Sequence, residues 1–337
     1  MSLVASVKLK ASGTGLSVLL LLACLACGEL LAMRVASAVT LDRPFLGQTS
    51  GLEEEALFSL WKAHHGQPVY SDALAAPFST SYFNVLFYVA YAVWSKGWSM
   101  VHPLADAWLP TVWRFLSLLF CLATWLALWR VMCLLSGAAL ERSSSWFALG
   151  VAGVCVFNPL FHWMSFSVRP DLAAVLGEVT CLGFLLAHVR RSSLGCVLLA
   201  GGAAALAWSF KQSQGFACAG GCVFLVWHRR WRELTLFVLP LLIVVPATLG
   251  FAGEWYRQNT LALHALASRF DPGQGIRFAA SAMAKAPCML AGLLLLVPPV
   301  RRWRTLGMEM RLICFVTAVS LPLCLFTSSK FGAADYY

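Results

Sequence analysis

From Leu16 onward the chain returns repeatedly to apolar runs about as long as a hydrocarbon layer requires, ~20 residues, joined by short connections that carry arginines. A soluble core cannot absorb many segments that are apolar on every face, whereas a bilayer can. With 60% of residues hydrophobic, 12% charged and a mean hydropathy of +0.74, the chain also lies outside the composition of soluble domains. The expected fold is therefore all-α, a polytopic membrane helical bundle of about nine spans with a large first external loop.

Hydropathy and breaker residues place the spans at 16–33, 111–133, 145–165, 171–188, 194–210, 213–228, 234–252, 281–300 and 312–327. Three parts follow: an N-terminal anchor (1–36), an external loop (37–110) and a transmembrane bundle (111–337). Alternate connections carry Lys8 and Lys10, Arg130 and Arg142, Arg190-Arg191, Arg229-Arg230-Arg232, and Arg301-Arg302-Arg304 with Arg311. That side holds thirteen basic residues against Glu141, Glu233 and Glu309, so it carries the whole formal charge of +10 and the rest nets to zero. Such asymmetry predicts a cytoplasmic N-terminus and a membrane location, and it excludes nucleic acid as the reason for the basic balance. The cysteines lie mostly inside apolar runs, where a thiol behaves as a small hydrophobe, so neither a disulfide framework nor a zinc site is expected.

The same topology keeps residues 78–98, FSTSYFNVLFYVAYAVWSKGW, from crossing, since a crossing there would place every later basic loop outside. They are expected to form an aromatic, amphipathic segment in the outer interface. Ahead of them runs the most polar passage of the chain, GLEEEALFSLWKAHHGQPVYSD (51–72). Glu53, Glu54 and Glu55 open a short helix, where its dipole favours acids, and His64-His65-Gly66 with Pro68 ends it. Successive residues fan by ~100° each, so all three acids cannot share a face. Leu57, Leu60 and Trp61 are taken as the side that meets the membrane body, which draws Glu53 and Glu54 inward ahead of Glu55.

Other polar groups are expected on the external side: Arg169-Pro170-Asp171 at the head of a span, Lys211-Gln212 between two spans, and Lys330 after the last. Glu29 and Glu178 lie within spans, where an ionisable group is costly and so a functional candidate. For Glu178 a hydrogen-bonded packing contact weighs equally, and His64 and His65 read as interfacial. Acids beside cations at headgroup depth suit a substrate with a phosphate and a reaction that needs a base. Headgroup binding or transport would use the same groups, so a transporter or flippase of lipid-linked sugars is the alternative.

EEEALFSLWKAHHGQPVYSD resembles the first external loop of the GT-C-fold glycosyltransferases that use polyprenyl-phosphate sugars, the superfamily of protein mannosyltransferases and aminoarabinose transferases. NPLFHWMSFSVRPDLAAVL (158–176) resembles its second acidic motif, AWSFKQSQGF (207–216) its Thr-Lys-Gln passage, and SSKFGAADYY (328–337) a late Lys-x-Gly-Ala motif. The resemblance implies a sugar donor on a polyprenyl phosphate, a lipid, glycan or protein acceptor, and an external site in a bacterial inner membrane. It implies catalytic roles for Glu54, Glu55 and Asp171 and substrate-binding roles for Glu53, Arg169, Lys211 and Lys330. No cofactor is certain, and a divalent metal near Asp171 is known for some members. Glu54 is favoured as the base, Glu53→Gln is expected to be the milder change, and relatives continue beyond the motif that holds Tyr337, so a truncated, inactive scaffold is a further expectation.

Overall fold

The structure is a computed structural model, and it describes residues 13–40, 52–76, 79–136, 142–157, 162–262, 270–285, 301 and 303–329. The described chain is helical, with α1 (Gly13–Thr40), α2 (Leu52–His64), α3 (Val85–Val101), α4 (Leu109–Ser136), α5 (Arg142–Phe157) and α6 (Asp171–Arg191) in its first half. After these come α7 (Leu194–Phe210), α8 (Phe216–Trp227), α9 (Trp231–Phe251), α10 (Gly253–Arg257) with a π turn at Gln258–Ala262, α11 (Pro272–Lys285) and α12 (Met308–Ser328).

Among the described residues four helices are long and apolar enough to cross a membrane: Asp106–Leu135, which takes in most of α4, and α6, α9 and α12. Ser145–Phe157, α7 and α8 are apolar but shorter. The span expected at 145–165 stops at Phe157 and resumes as a 3₁₀ turn at His162–Ser165, while most of the span expected at 281–300 lies outside the described residues.

The bundle is built around α6. Half of its apolar window is buried within the protein, against 6% for α9 and 11% for α12, which leave theirs to lipid. Asp171 stands in its first turn directly after Pro170, and His188, Arg190 and Arg191 stand in its last, each charge placed to suit the helix dipole. Ser192, left-handed at φ 51°, ends it. Gly177 lets α7 approach within van der Waals contact at Ala203 and Ala207, and Gly201 does the same for α9 at Phe237. Cys181, Leu185, Phe224, Phe237 and Leu312 fill the core between α6, α8, α9 and α12. Glu178, buried on α6, accepts a hydrogen bond from the Ala217 amide, so it caps the first turn of α8 from a neighbouring helix. That contact is the packing role weighed for it from the sequence.

At the Asp171 end of α6 a second layer sits on the bundle. Helices α2 and α3, the start of α4 and the end of α7 share a core of Leu60, Phe87, Tyr91, Trp113, Val168 and Phe210. The α3 helix is amphipathic, as its sequence implies: Phe87, Tyr88, Tyr91, Ala92 and Ser95 are buried, while Val89 and Val93 are exposed. Buried amides fix this layer to the bundle. Asn84 donates to the Trp208 carbonyl and accepts from the Tyr256 hydroxyl, while Asn259 accepts from the Ser81 amide and donates to the Ser71 carbonyl. Gln212 donates to the Tyr82 carbonyl. Each such bond contributes only ~1 kcal/mol net, but leaving its buried partner unmatched costs ~1–3 kcal/mol, so the set specifies one docking.

Candidate functional site

The orientation of α2 is set by an acid. Its buried stripe is Glu53, Ala56, Ser59 and Leu60, the spacing of one helical face. Glu53 Oε1 accepts from Arg114 Nε at 3.2 Å and from the Val168 amide at 3.0 Å, and Arg114 Nη2 reaches Oε2 at 3.4 Å. Both side chains are fully buried. The carboxylate thereby pins α2 to α4 and to the segment that leads into α6.

The face inferred from Leu57, Leu60 and Trp61 does meet the body of the protein, with Leu60 buried and Leu57 and Trp61 packed partly buried against the same core, but it does not carry Glu54 inward. Glu53 does turn inward, but Glu54 is exposed and Glu55 is half-buried. The Trp61 indole, partly buried against this core, donates to Asp106 at 2.8 Å. Ala56 and Ser59, too small or too polar to register in hydropathy, share the buried stripe with Leu60. Glu55 accepts a hydrogen bond from the Thr80 hydroxyl at 2.9 Å. Burial pushes its carboxyl above the usual glutamate range, the Thr80 bond opposes that shift, and the neighbouring Glu54 adds to it.

Close by, Arg169 and Lys211 meet on a single carboxylate. Arg169 Nε lies 2.9 Å from Asp171 Oδ2, and Lys211 Nζ lies 2.5 Å from Oδ1, with all three side chains buried. The Tyr91 hydroxyl bonds Ser117 at 2.8 Å and the Arg169 carbonyl at 3.4 Å, joining α3 and α4 to this cluster. Lys330 lies outside the described residues. Asp171 does not fit a divalent metal, because both of its oxygens are held by cations, and no group of three or more metal-binding side chains occurs among the described residues.

Arg114 and Tyr91 were not singled out by the sequence. An arginine near the start of an apolar span was the available signal for Arg114, since a charge there demands a partner. Nothing marked Tyr91 among the aromatic residues of α3. His64 and His65 lie at the far end of α2, bonded to Ser95 and Asp106 at 2.8 and 3.2 Å. Compared with models of protein families, with characterised proteins and with solved structures, the chain matches none.

Proposed function

We propose that the protein is a membrane glycosyltransferase of the GT-C type that moves a sugar from a polyprenyl-phosphate donor to a lipid, glycan or protein acceptor. The observation that carries this proposal is the Glu53 clamp. It holds the first turn of α2 against the segment leading into α6, so that the outward acids Glu54 and Glu55 stand at the same end of the bundle as the buried cluster of Asp171, Arg169 and Lys211. In the reaction, Glu55 takes the proton of the acceptor hydroxyl, whose oxygen attacks the anomeric carbon. The bond from that carbon to the phosphate oxygen breaks, and the electron pair leaves with polyprenyl phosphate. A carboxyl raised toward neutrality is a better base near pH 7 than an ordinary one. Arg169 and Lys211, held rigidly by Asp171, contribute positive potential toward the departing phosphate rather than direct contacts.

The proposal includes about nine spans, read from hydropathy, a cytoplasmic N-terminus and an external site, which rest on the charge asymmetry of the connections, and a bacterial inner membrane, which the resemblance implies. The test is transfer by the purified chain, reconstituted in lipid with a panel of polyprenyl-phosphate hexoses and pentoses. Release of polyprenyl phosphate that Glu55→Gln abolishes is the expected result. A folded protein that consumes no donor in the panel would refute it.

A further inference from the structure

At the other end of α6, about 30 Å from Asp171 by the rise of its 21 residues, lies a second cationic cluster. It is made where α8 turns into α9 and where α12 begins. His228 caps the C-terminus of α8, Arg230 precedes α9, and Arg311 stands in the first turn of α12. The groups are joined through packed rings: His228 lies against Phe315 with ring centroids 6.4 Å apart, and Phe315 lies 5.4 Å from Trp303, the ring that Arg311 covers.

Their partners are incomplete. Arg230 Nη1 donates to His188 Nε2 at 3.2 Å, and His188 Nδ1 donates in turn to the Ser193 carbonyl, which leaves a neutral imidazole against a full guanidinium charge. Arg311 Nη2 donates to the Arg304 carbonyl, and its guanidinium lies 5.7 Å from the Trp303 ring centroid. Arg311 Nε and His228 Nε2 are buried, yet neither has a hydrogen-bond partner among the described residues. No described carboxylate pairs with Arg230 or Arg311, whereas nearby Arg190 is paired with Glu309 at 3.3 Å. Buried polar groups are nearly always matched, so two orphans in one net-positive cluster point to a partner that the described residues do not supply.

We propose that this cluster binds the phosphate group of an anionic phospholipid. A phosphate presents enough acceptor oxygens for a guanidinium fork and an imidazole together, and its charge offsets the unpaired arginines. The surroundings select a lipid over a free ion. Trp227 and Trp231, on either side of the turn, are exposed at 63% and 58%, as anchors at headgroup level are. The apolar face of α9, with Leu239, Leu242 and Ile243 exposed, runs on from the cluster as a path for acyl chains.

The test uses the full chain in a neutral detergent and follows thermal unfolding by tryptophan fluorescence. Dioleoylphosphatidylglycerol, dioleoylphosphatidylcholine and inorganic phosphate are titrated separately at constant ionic strength. Phosphatidylglycerol is expected to raise the unfolding temperature where phosphatidylcholine does not. Arg311→Gln should weaken its apparent affinity by about tenfold or more, the consequence of losing one charge-assisted hydrogen bond, and Arg277→Gln, in an exposed pair at Asp271, should not. If Arg311→Gln does not fold, Arg230→Gln reads the same site. Equal stabilisation of these variants and the unaltered protein overturns the proposal, and so does a full shift with inorganic phosphate alone.

Discussion

Glu53 on α2 and Arg114 on α4, 61 residues apart in sequence, form an ion pair 3.2 Å long with no exposed surface on either side chain. Removing one member of such a pair costs ~3–5 kcal/mol, because the other is left charged and buried. Glu53→Gln is therefore expected to lower the unfolding temperature strongly and reduce the yield of folded protein. Glu53→Gln combined with Arg114→Met should recover most of the loss in the same thermal assay. Additive losses in the double variant would show that the two residues act separately.

The three consecutive acids illustrate what a sequence conceals. The bounds of α7, 194–210, were legible to the residue, since polar Ser193 and Lys211 bracket an unbroken apolar run. The direction of α2 was not. Hydropathy marked Leu57, Leu60 and Trp61, of which Leu60 is fully buried, but the stripe also passes through Ala56 and Ser59 and ends on a charged group whose partner lies on another helix. Pairing across 61 residues leaves no local trace. Likewise Asp171 was recognisable as a special acid, but that it would hold both Arg169 and Lys211 depended on α6 and α7 packing side by side.

Glu54 and Glu55 can be told apart by pH. If Glu55 is the base, transfer rises with pH as its carboxyl ionises, along a limb displaced upward by burial and by Glu54. Glu55→Gln should lower transfer by ~100-fold or more, the usual effect of losing a general base. Glu54→Gln removes a like charge and should move the limb to lower pH, while Thr80→Ala removes a hydrogen bond to the ionised form and should move it higher. Stability carries the opposite sign: with the folded pKa above its unfolded value, stability is full below the ordinary glutamate range and falls as pH rises through the raised one. A limb that ignores both substitutions, with Glu55→Gln still active, would remove Glu55 from the mechanism.

Asp171 and Lys211 should respond unequally. Asp171→Asn breaks the two buried ion pairs that Arg169 and Lys211 make with this carboxylate, so a loss of ~3–5 kcal/mol is expected. Lys211→Met leaves the Arg169–Asp171 pair intact and should cost less. Thermal unfolding of the two variants checks the order, and a larger loss for Lys211→Met would show that the packing of its stem outweighs its charge.

Adjacent glycines on α7 provide a test of the bundle that owes nothing to its chemistry. A Cβ on Gly201 would run into the Phe237 carbonyl oxygen, with that carbonyl's carbon at 2.9 Å, so the obstacle is the backbone of α9 rather than a side chain that could turn aside. Accommodating it means moving α9 away from α7, in the range of ~1–3 kcal/mol for overpacking a tight contact. One residue on, the helix has turned by ~100°, and a Cβ on Gly202 meets nothing within 4 Å. There the methyl group only restricts the unfolded backbone, and alanine is favoured over glycine by up to ~1 kcal/mol in a helix interior. Gly201→Ala is therefore expected to lower the unfolding temperature and Gly202→Ala to leave it unchanged or raise it, measured side by side in one detergent. Equal behaviour of the two would mean that α7 and α9 are not in contact at Phe237, and the rotation assigned to α7 would be wrong.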